Sequence, residues 1–396
     1  MKKQTGNQQL VKRINKRIVL QTIVENEPVS RAEIASVTGL NKGTVSSLVQ
    51  ELIDEQFIYE SGPGKSSGGR RPVMLHFNER AGFFIGIDLG VHYILGVLTD
   101  VKGNIVHKLR KKLPVRSYHD VLAVLVSIIS QLLDAAPESP YGVSGIGMAV
   151  PGLVNKSGEI LIAPNLGWKN VHLKKDIESR FQIPVIMENE ANAGAYGEKL
   201  YGTGKDYEHI LYVSAGIGIG VGVLLNGELY LGAEGYAGEA GHMMVELNGK
   251  DCSCGSKGCW EMYASERALL AEAGTLPGIG ETSLTIETLC ELAESGHRGV
   301  LAVFHKVGTY LGIGLHNLIH TFNPELVIIG NRLVLARKWL EEPIRQVIER
   351  YTIKWHRDQA NIQFSGLMTD AAALGSAALA IEQFFKQLFF IMIIWK

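Results

Sequence analysis

Three of the four cysteines in this 396-residue chain, Cys252, Cys254 and Cys259, fall within eight positions of one another, beginning ten residues after His242. One imidazole nitrogen and three thiolates form the donor set of a tetrahedral zinc ion, and four protein ligands leave no open position for a substrate. The predicted role of that ion is therefore structural. Gly255 and Gly258 suit a chain that must turn tightly around a metal. Clustered thiols beside a histidine argue for metal over disulfides, and so for a cytoplasmic chain. Cys290, between Leu289 and Leu292 in a helical context, is expected to be simply buried.

A second set of residues suits a polyanion. Residues 1–78 contain 11 Lys and Arg against 7 Asp and Glu, a net +4, whereas the remainder carries −5. A basic head on an acidic body puts contact with nucleic acid on the head. An apolar stripe through Leu10, Ile14 and Ile18, joined by Val11 and residues 20–23, predicts a helix over 7–26. Its other face is expected to show Lys12, Arg13, Lys16 and Arg17. Pro28 stops it, and Ser30 with Glu33 makes a capping box for a helix over 31–37 that Gly39 closes. Asn41 caps a third helix through Thr44, Val45, Leu48, Val49, Leu52 and Ile53. Helix, tight turn and helix form the helix-turn-helix plan. Strands over 57–60 and 73–77, joined by the basic glycine-rich segment 62–71, add a wing suited to phosphates or a minor groove. The residues expected to face DNA are Asn41, Lys42, Thr44, Ser46, Ser47 and Gln50, with Arg31 and the wing's Lys65, Arg70 and Arg71.

From residue 83 the pattern changes to strand, turn, strand, turn, strand, and residues 210–231 repeat it, with Asn226-Gly227 as a hairpin turn. Two such units predict a duplicated α/β body with a cleft between its halves. Five motifs follow in order. They are Gly147-Met148-Ala149-Val150-Pro151-Gly152, Pro164-Asn165-Leu166-Gly167-Trp168, Glu188-Asn189-Glu190-Ala191-Asn192-Ala193, Gly238-Glu239-Ala240-Gly241-His242, and the segment Cys252-Ser253-Cys254-Gly255-Ser256-Lys257-Gly258-Cys259-Trp260-Glu261. In this order they resemble the ROK family of repressors and sugar kinases over essentially residues 83–382, and the head matches the family's repressor branch, most nearly its xylose-responsive members.

The resemblance implies an α/β fold: a winged helix-turn-helix at 1–78, then a two-lobed actin-like ATPase body at 83–200 and 201–382. It assigns sugar contacts to the Gly152 backbone and to Asn165, Asn189, Glu190, Glu239, His242 and Glu261. Amides and carboxylates suit hydroxyls, which both donate and accept. The zinc would act indirectly by anchoring the loop that carries Glu239 and Glu261. Operator DNA, xylose as inducer, glucose as a competing ligand and a homodimer are the implied partners.

Against the family's kinases, four places differ. In Asp88-Leu89-Gly90-Val91-His92 a valine and a histidine replace the Gly-Thr of the first phosphate loop. Ser214-Ala215-Gly216 replaces Gly-Thr-Gly, and Gly330-Asn331 replaces Gly-Gly. Glu190 takes the place of the catalytic Asp, and a carboxylate displaced by about 1 Å can lose on the order of 100-fold in rate. The expectation is a sugar-responsive repressor with no catalytic residues. An active kinase with a regulatory head, or a repressor governed by a partner protein, are the alternatives. No signal-peptide core opens the chain. Residues 383–396 add an apolar run too short for the roughly 20 residues of a membrane helix, read as a helix extension or an ill-ordered tail.

Overall fold

The computed structural model describes residues 8–63, 71–113, 117–279 and 284–389. In the head, α1 (Gln8–Asn26) buries Val19, Leu20 and Ile23. Three short strands, β1 (Val29–Ser30), β2 (Ile58–Pro63) and β3 (Val73–Phe77), form an antiparallel sheet in the order β1-β3-β2. Two residues offer no periodicity to read, so β1 is absent from the sequence expectation. Between these strands, α2 (Arg31–Thr38) starts at the expected capping box, with Ser30 and Glu33 each accepting from the other's backbone N–H. It ends at Gly39, whose φ of 69° is left-handed. The side chain of Asn41 accepts from Thr44 N and starts α3 (Lys42–Asp54), which buries Val45, Leu48, Val49 and Leu52.

The first lobe carries β4 (Phe83–Leu89), β5 (Tyr93–Asp100), β6 (Ile105–Lys112), α4 (Tyr118–Asp134) and β7 (Val143–Val150). It continues with β8 (Leu153–Val154), β9 (Ile160–Ala163), β10 (Trp168–Val171), α5 (Leu173–Phe181), β11 (Val185–Asn189) and α6 (Glu190–Tyr201). Its main sheet runs β11-β7-β4-β5-β6. The second lobe supplies β12 (Ile210–Ala215), β13 (Ile219–Leu225), β14 (Glu228–Leu229), α7 (Glu261–Ala264), α8 (Glu266–Gly274), α9 (Ile286–Glu294) and α10 (Arg298–Phe322). Then come β15 (Leu326–Gly330), α11 (Arg337–Tyr351), α12 (Lys354–Arg357), β16 (Ile362–Phe364) and α13 (Ala371–Phe389). Its sheet runs β14-β13-β12-β15-β16. Each sheet is an antiparallel meander extended by two parallel strands, so the duplication read from the hairpins is present in the topology.

Two helices join these parts. α6 lies on β12 and β13, and α13 lies on β4 and β7 and along α6. The approach is close: a Cβ on Gly147 would fall 1.7 Å from the Ser376 carbonyl oxygen, and one on Gly375 would fall 1.7 Å from that of Ala193. Only glycine permits either contact. By sequence α13 follows the second lobe, yet its first half covers the first lobe's sheet. Residues 383–389 continue the helix without a break, and Phe385 and Phe389 enter one buried cluster with Leu20, Ile23, Leu52 and Phe57 of the head. The ring of Phe57 stacks on Tyr141 at 4.9 Å and meets Phe385 at 5.6 Å.

That junction corrects the reading of Lys16. Expected on the solvated face of α1, it is buried, with its Nζ 2.6 Å from Glu55 Oε1 and 5.7 Å from the centre of the Phe389 ring. The long stem can lie along apolar surface while the ammonium reaches a carboxylate. Among the described residues, no helix is long and apolar enough to cross a membrane.

Candidate functional site

On the head, Asn41, Lys42, Ser46, Ser47 and Gln50 are exposed along the start and outer face of α3, and Thr44 is half-buried. Two of these side chains already have partners: Asn41 caps α3, and Gln50 donates to Asp54 Oδ1 at 2.9 Å. Arg31 is held by Glu60 of β2 at 2.7 Å, which keeps its guanidinium against the sheet. Arg71 is exposed at the base of the wing, while Lys65 and Arg70 lie outside the described residues.

Between the lobes lies a cleft of about 460 Å³, within the size range of small-molecule sites. All seven residues expected to touch a sugar line it: Gly152, Asn165, Asn189, Glu190, Glu239, His242 and Glu261. Local structure explains how they arrive. Asn189 ends β11 and caps α6, its Oδ1 accepting from Ala191 N at 2.8 Å, while its Nδ2 donates to the Gly152 carbonyl at 2.9 Å. That amide thus fixes the loop after β7 as well as the start of α6. Asn165 sits on a single 3-10 turn closed by Gly167 in a left-handed conformation. Glu261 opens α7 and is buried.

Glu190 lines the cleft, and Asp88 is buried next to it, bonded to the cleft residue Tyr93. Burial pushes Asp88 up to about 6, against the opposing pull of a 2.7 Å hydrogen bond from the Tyr93 hydroxyl. Desolvation, reinforced by Asp88, pushes Glu190 up to about 7. Glu190 accepts from Ser214 Oγ at 3.2 Å, and Ser214 Oγ in turn accepts from Asn331 Nδ2 at 3.0 Å. Asn331 holds a φ of 64°, unusual for a residue with a Cβ.

The sequence motifs missed three contributors. Tyr93 packs its ring over Gly90, Arg332 lines the cleft beside Asn331, and Arg267 bonds to Glu261 and Asn165. None stands at a diagnostic spacing; each is recruited by the fold.

Beside the cleft, the ligand atoms of His242, Cys252, Cys254 and Cys259 all lie within 4.8 Å of one another. Cys254 Sγ and Cys259 Sγ are 3.7 Å apart. Two thiolates on a tetrahedral ion with bonds of about 2.3 Å would stand about 3.8 Å apart. The donor set and its spacing fit a metal ion. The imidazole of His242 faces two ways: Nδ1 is 3.6 Å from Cys252 Sγ, and Nε2 is 3.8 Å from Glu239 Oε2. Cys290, half-buried, is outside the cluster and contacts the Leu335 carbonyl at 3.6 Å.

Known proteins share this architecture. Residues 84–383 match the ROK family, and residues 12–59 match the winged helix-turn-helix DNA-binding family. The xylose repressor of Bacillus subtilis (strain 168) is 42% identical over 96% of this chain and 98% of its own length. The DNA-binding transcriptional dual regulator NagC of Escherichia coli (strain K12) is 30% identical over 95% of this chain and 94% of its own. Among solved structures, a ROK family transcriptional regulator described as a homolog of the E. coli MLC protein superposes with a TM-score of 0.80 at 28% identity, covering 96% of this chain and 98% of that one. A ROK family glucokinase from Streptomyces griseus, in complex with glucose and AMPPNP, gives 0.69 at 29% identity over 76% of this chain and 99% of its own. The glucokinase alignment leaves about the length of the head uncovered, whereas both regulators span it. The chain belongs to the ROK family, in the form that carries a winged helix-turn-helix ahead of the body.

Proposed function

We propose that this chain is a sugar-responsive transcriptional repressor whose head holds operator DNA until a small sugar, xylose in the first instance, closes the cleft. The shared cleft carries the reading: Gly152, Asn165, Asn189 and Glu190 from the first lobe face Glu239, His242 and Glu261 from the second. A sugar gripped from both sides binds closed lobes better than open ones, and only such differential affinity moves an equilibrium. Asn189 and Glu190 begin α6, α6 lies along α13, and α13 ends inside the head's core. Closure at the sugar therefore has a packed route to the DNA-binding face. About 100-fold weaker operator binding requires ~2.7 kcal/mol of coupling. Lys42, Thr44, Ser46, Ser47 and Gln50 would read the groove, with Arg71 and the wing on the backbone. In a homodimer two such heads would meet half-sites about 34 Å apart, or a multiple of that.

The metal in this reading is a structural zinc held by His242 Nδ1 and the three thiolates. Bound, it supplies rigidity and no open coordination position. Nε2 of His242 stays turned toward Glu239 and the cleft, so the ring passes that rigidity to the sugar contacts.

We read the cleft as non-phosphorylating. A Cβ on Gly216 would fall 2.8 Å from Asn331 Nδ2, and one on Gly90 would fall 2.6 Å from the Tyr93 ring. Side chains of this protein crowd both loops where a kinase must let phosphate approach backbone. The test is gel-shift titration of the full chain on duplexes it selects from a random pool, with xylose, glucose and N-acetylglucosamine. Xylose should weaken the complex at least tenfold; if no sugar changes operator affinity, the reading fails. ADP release with Mg-ATP and xylose or glucose separates the second reading. Turnover of roughly 1–100 per second would make the chain a kinase.

A further inference from the structure

Arg267, the second residue of α8, lies behind the cleft wall and outside every family motif. Its Nη1 donates to Asn165 Oδ1 at 3.4 Å and its Nη2 to Glu261 Oε1 at 3.3 Å. Asn165 belongs to the first lobe, while Glu261 and Arg267 belong to the second. One planar guanidinium therefore spans the lobes and holds two of the residues assigned to the sugar.

The donor set of that group has a consequence for what the cleft presents. A guanidinium only donates, so the end of the Asn165 amide that faces it must be the oxygen. The amide NH2 is then turned away from Arg267. The carboxylate of Glu261 is divided in the same manner: Oε1 receives Arg267 at 3.3 Å and lies 3.4 Å from Cys252 Sγ, leaving Oε2 on the other side. Glu261 Oε2 and Asn165 Nδ2 converge on one place. A Cβ built on Gly218, which lines the cleft, would fall 2.7 Å from Glu261 Oε2 and 3.9 Å from Asn165 Nδ2.

We propose that Arg267 is a positioning residue for the ligand: it orients Asn165 and Glu261 so that a donor from one lobe and an acceptor from the other meet beside Gly218 on a single hydroxyl of a neutral aldose. A hydroxyl can accept from Asn165 Nδ2 and donate to Glu261 Oε2 at once. An ammonium at that position would have nothing to accept with, and a deoxy carbon would forfeit both bonds. Lysine would not substitute, because a point charge cannot hold two planar acceptors in a fixed relation as the guanidinium fork does. This inference rests on reading the cleft as a sugar site, and names the residue that sets its polarity.

The experiment is calorimetry of xylose, and of the series of xyloses lacking one hydroxyl each, on full-length zinc-loaded protein. The wild type, R267A, R267K, N165A and the double variant R267A/N165A are compared, with Tm reporting that each is folded. The wild type should reject one deoxyxylose more than the others, and R267A should bind xylose at least about tenfold more weakly, the scale of a lost charge-assisted hydrogen bond. R267A should also lose most of the penalty against that one deoxyxylose, and R267K should recover only part of each effect. Adding R267A to N165A should cost less than R267A costs in the wild type, because part of the arginine's effect passes through the asparagine and the rest through Glu261. Full xylose affinity in R267A, an even loss against every deoxyxylose, or losses in R267A and N165A that simply add would each overturn the proposal. If the wild type binds no xylose, glucose or N-acetylglucosamine, the sugar reading falls and Arg267's role with it. Xylose binding that R267A leaves intact removes Arg267's role alone.

Discussion

The hydroxyl of Tyr196 donates to Oε2 of Glu382 at 3.0 Å, tying the helix that begins at the cleft to the helix that ends in the head. Glu382 is buried in the middle of α13, where a carboxylate needs partners. This bond thus crosses the seam through which sugar binding would reach the DNA face. Replacing Tyr196 by Phe removes the donor and keeps the ring, at a cost of about 1–3 kcal/mol for the exposed need of the acid. The sugar and DNA sites themselves are untouched, so xylose affinity and sugar-free operator affinity should stay within about threefold of wild type, a difference of ~0.6 kcal/mol. The ratio of operator affinities with and without xylose should shrink. Gel-shift titrations measure all three quantities, and an undiminished ratio would remove α6 and α13 from the route.

Phe385 tests the other end of that route. Its side chain is fully buried against Phe57, Phe384 and Phe389, at the place where head, first lobe and α13 share one core. Truncation to Ala should cost about 3–5 kcal/mol, the usual range for a buried Phe. Because the cluster includes Leu20, Ile23 and Leu52, the damage should appear first as a loosened head. Limited proteolysis should cut the variant near residues 78–83 faster than wild type, together with a lower Tm. Equal cutting rates would mean that the junction is held by something other than these rings.

Much of this molecule could be read before its structure, wherever the signal was local. Ser30 with Glu33, Asn41 with Thr44, and the spacing of Cys252, Cys254 and Cys259 after His242 each encode a geometry within a few residues. What stayed hidden depends on partners far along the chain. Lys16 looks like a surface lysine until Phe389, more than 370 positions later, arrives beside it. Arg31 looks free for DNA until β2 brings Glu60 to it, and Arg267 carries no motif because its partners lie in two lobes. The α13 helix reads as the end of the second lobe, since nothing in its composition says which sheet its small residues Ala373, Ser376 and Ala377 will meet.

Asp88 and Glu190 predict a pH dependence with a definite sign. Burial raises both, to about 6 and about 7, above the ordinary values of about 3.9 and 4.3 that the unfolded chain keeps. Below about pH 4 both states hold these protons, and the contribution to stability is fully present. As pH rises toward 7 the unfolded chain ionises first, the native state binds more protons, and stability falls until the folded values are passed. E190Q keeps the shape and removes the titration. Its stability should decline less than that of wild type between about pH 5 and 7.5, the difference reaching at most about 3 kcal/mol. Urea unfolding across that range measures it, and parallel curves for the two proteins would refute the assignment.

The division of labour within His242 leads to the last prediction. Nδ1 lies with the thiolates, Nε2 lies with Glu239, and Glu261 Oε1 lies 3.4 Å from Cys252 Sγ while the residue lines the cleft. Metal and sugar contacts therefore share side chains without sharing a ligand bond. Removing the ion should release the loop from His242 to Glu261, raise the entropy lost on gripping a sugar, and weaken xylose by ten-fold or more. The head, anchored through Phe57 and α13 on the opposite side of the first lobe, should keep its sugar-free operator affinity. C259S and chelator-treated protein should behave alike, whereas C290S should retain one zinc per chain, because its thiol faces Leu335 and not the cluster. Elemental analysis of the purified proteins gives the stoichiometry, and calorimetry with xylose gives the consequence. Zinc-free protein that binds xylose as tightly as the loaded form would show that the loop holds its shape unaided, and would reduce the four ligands to a bystander of the sugar site.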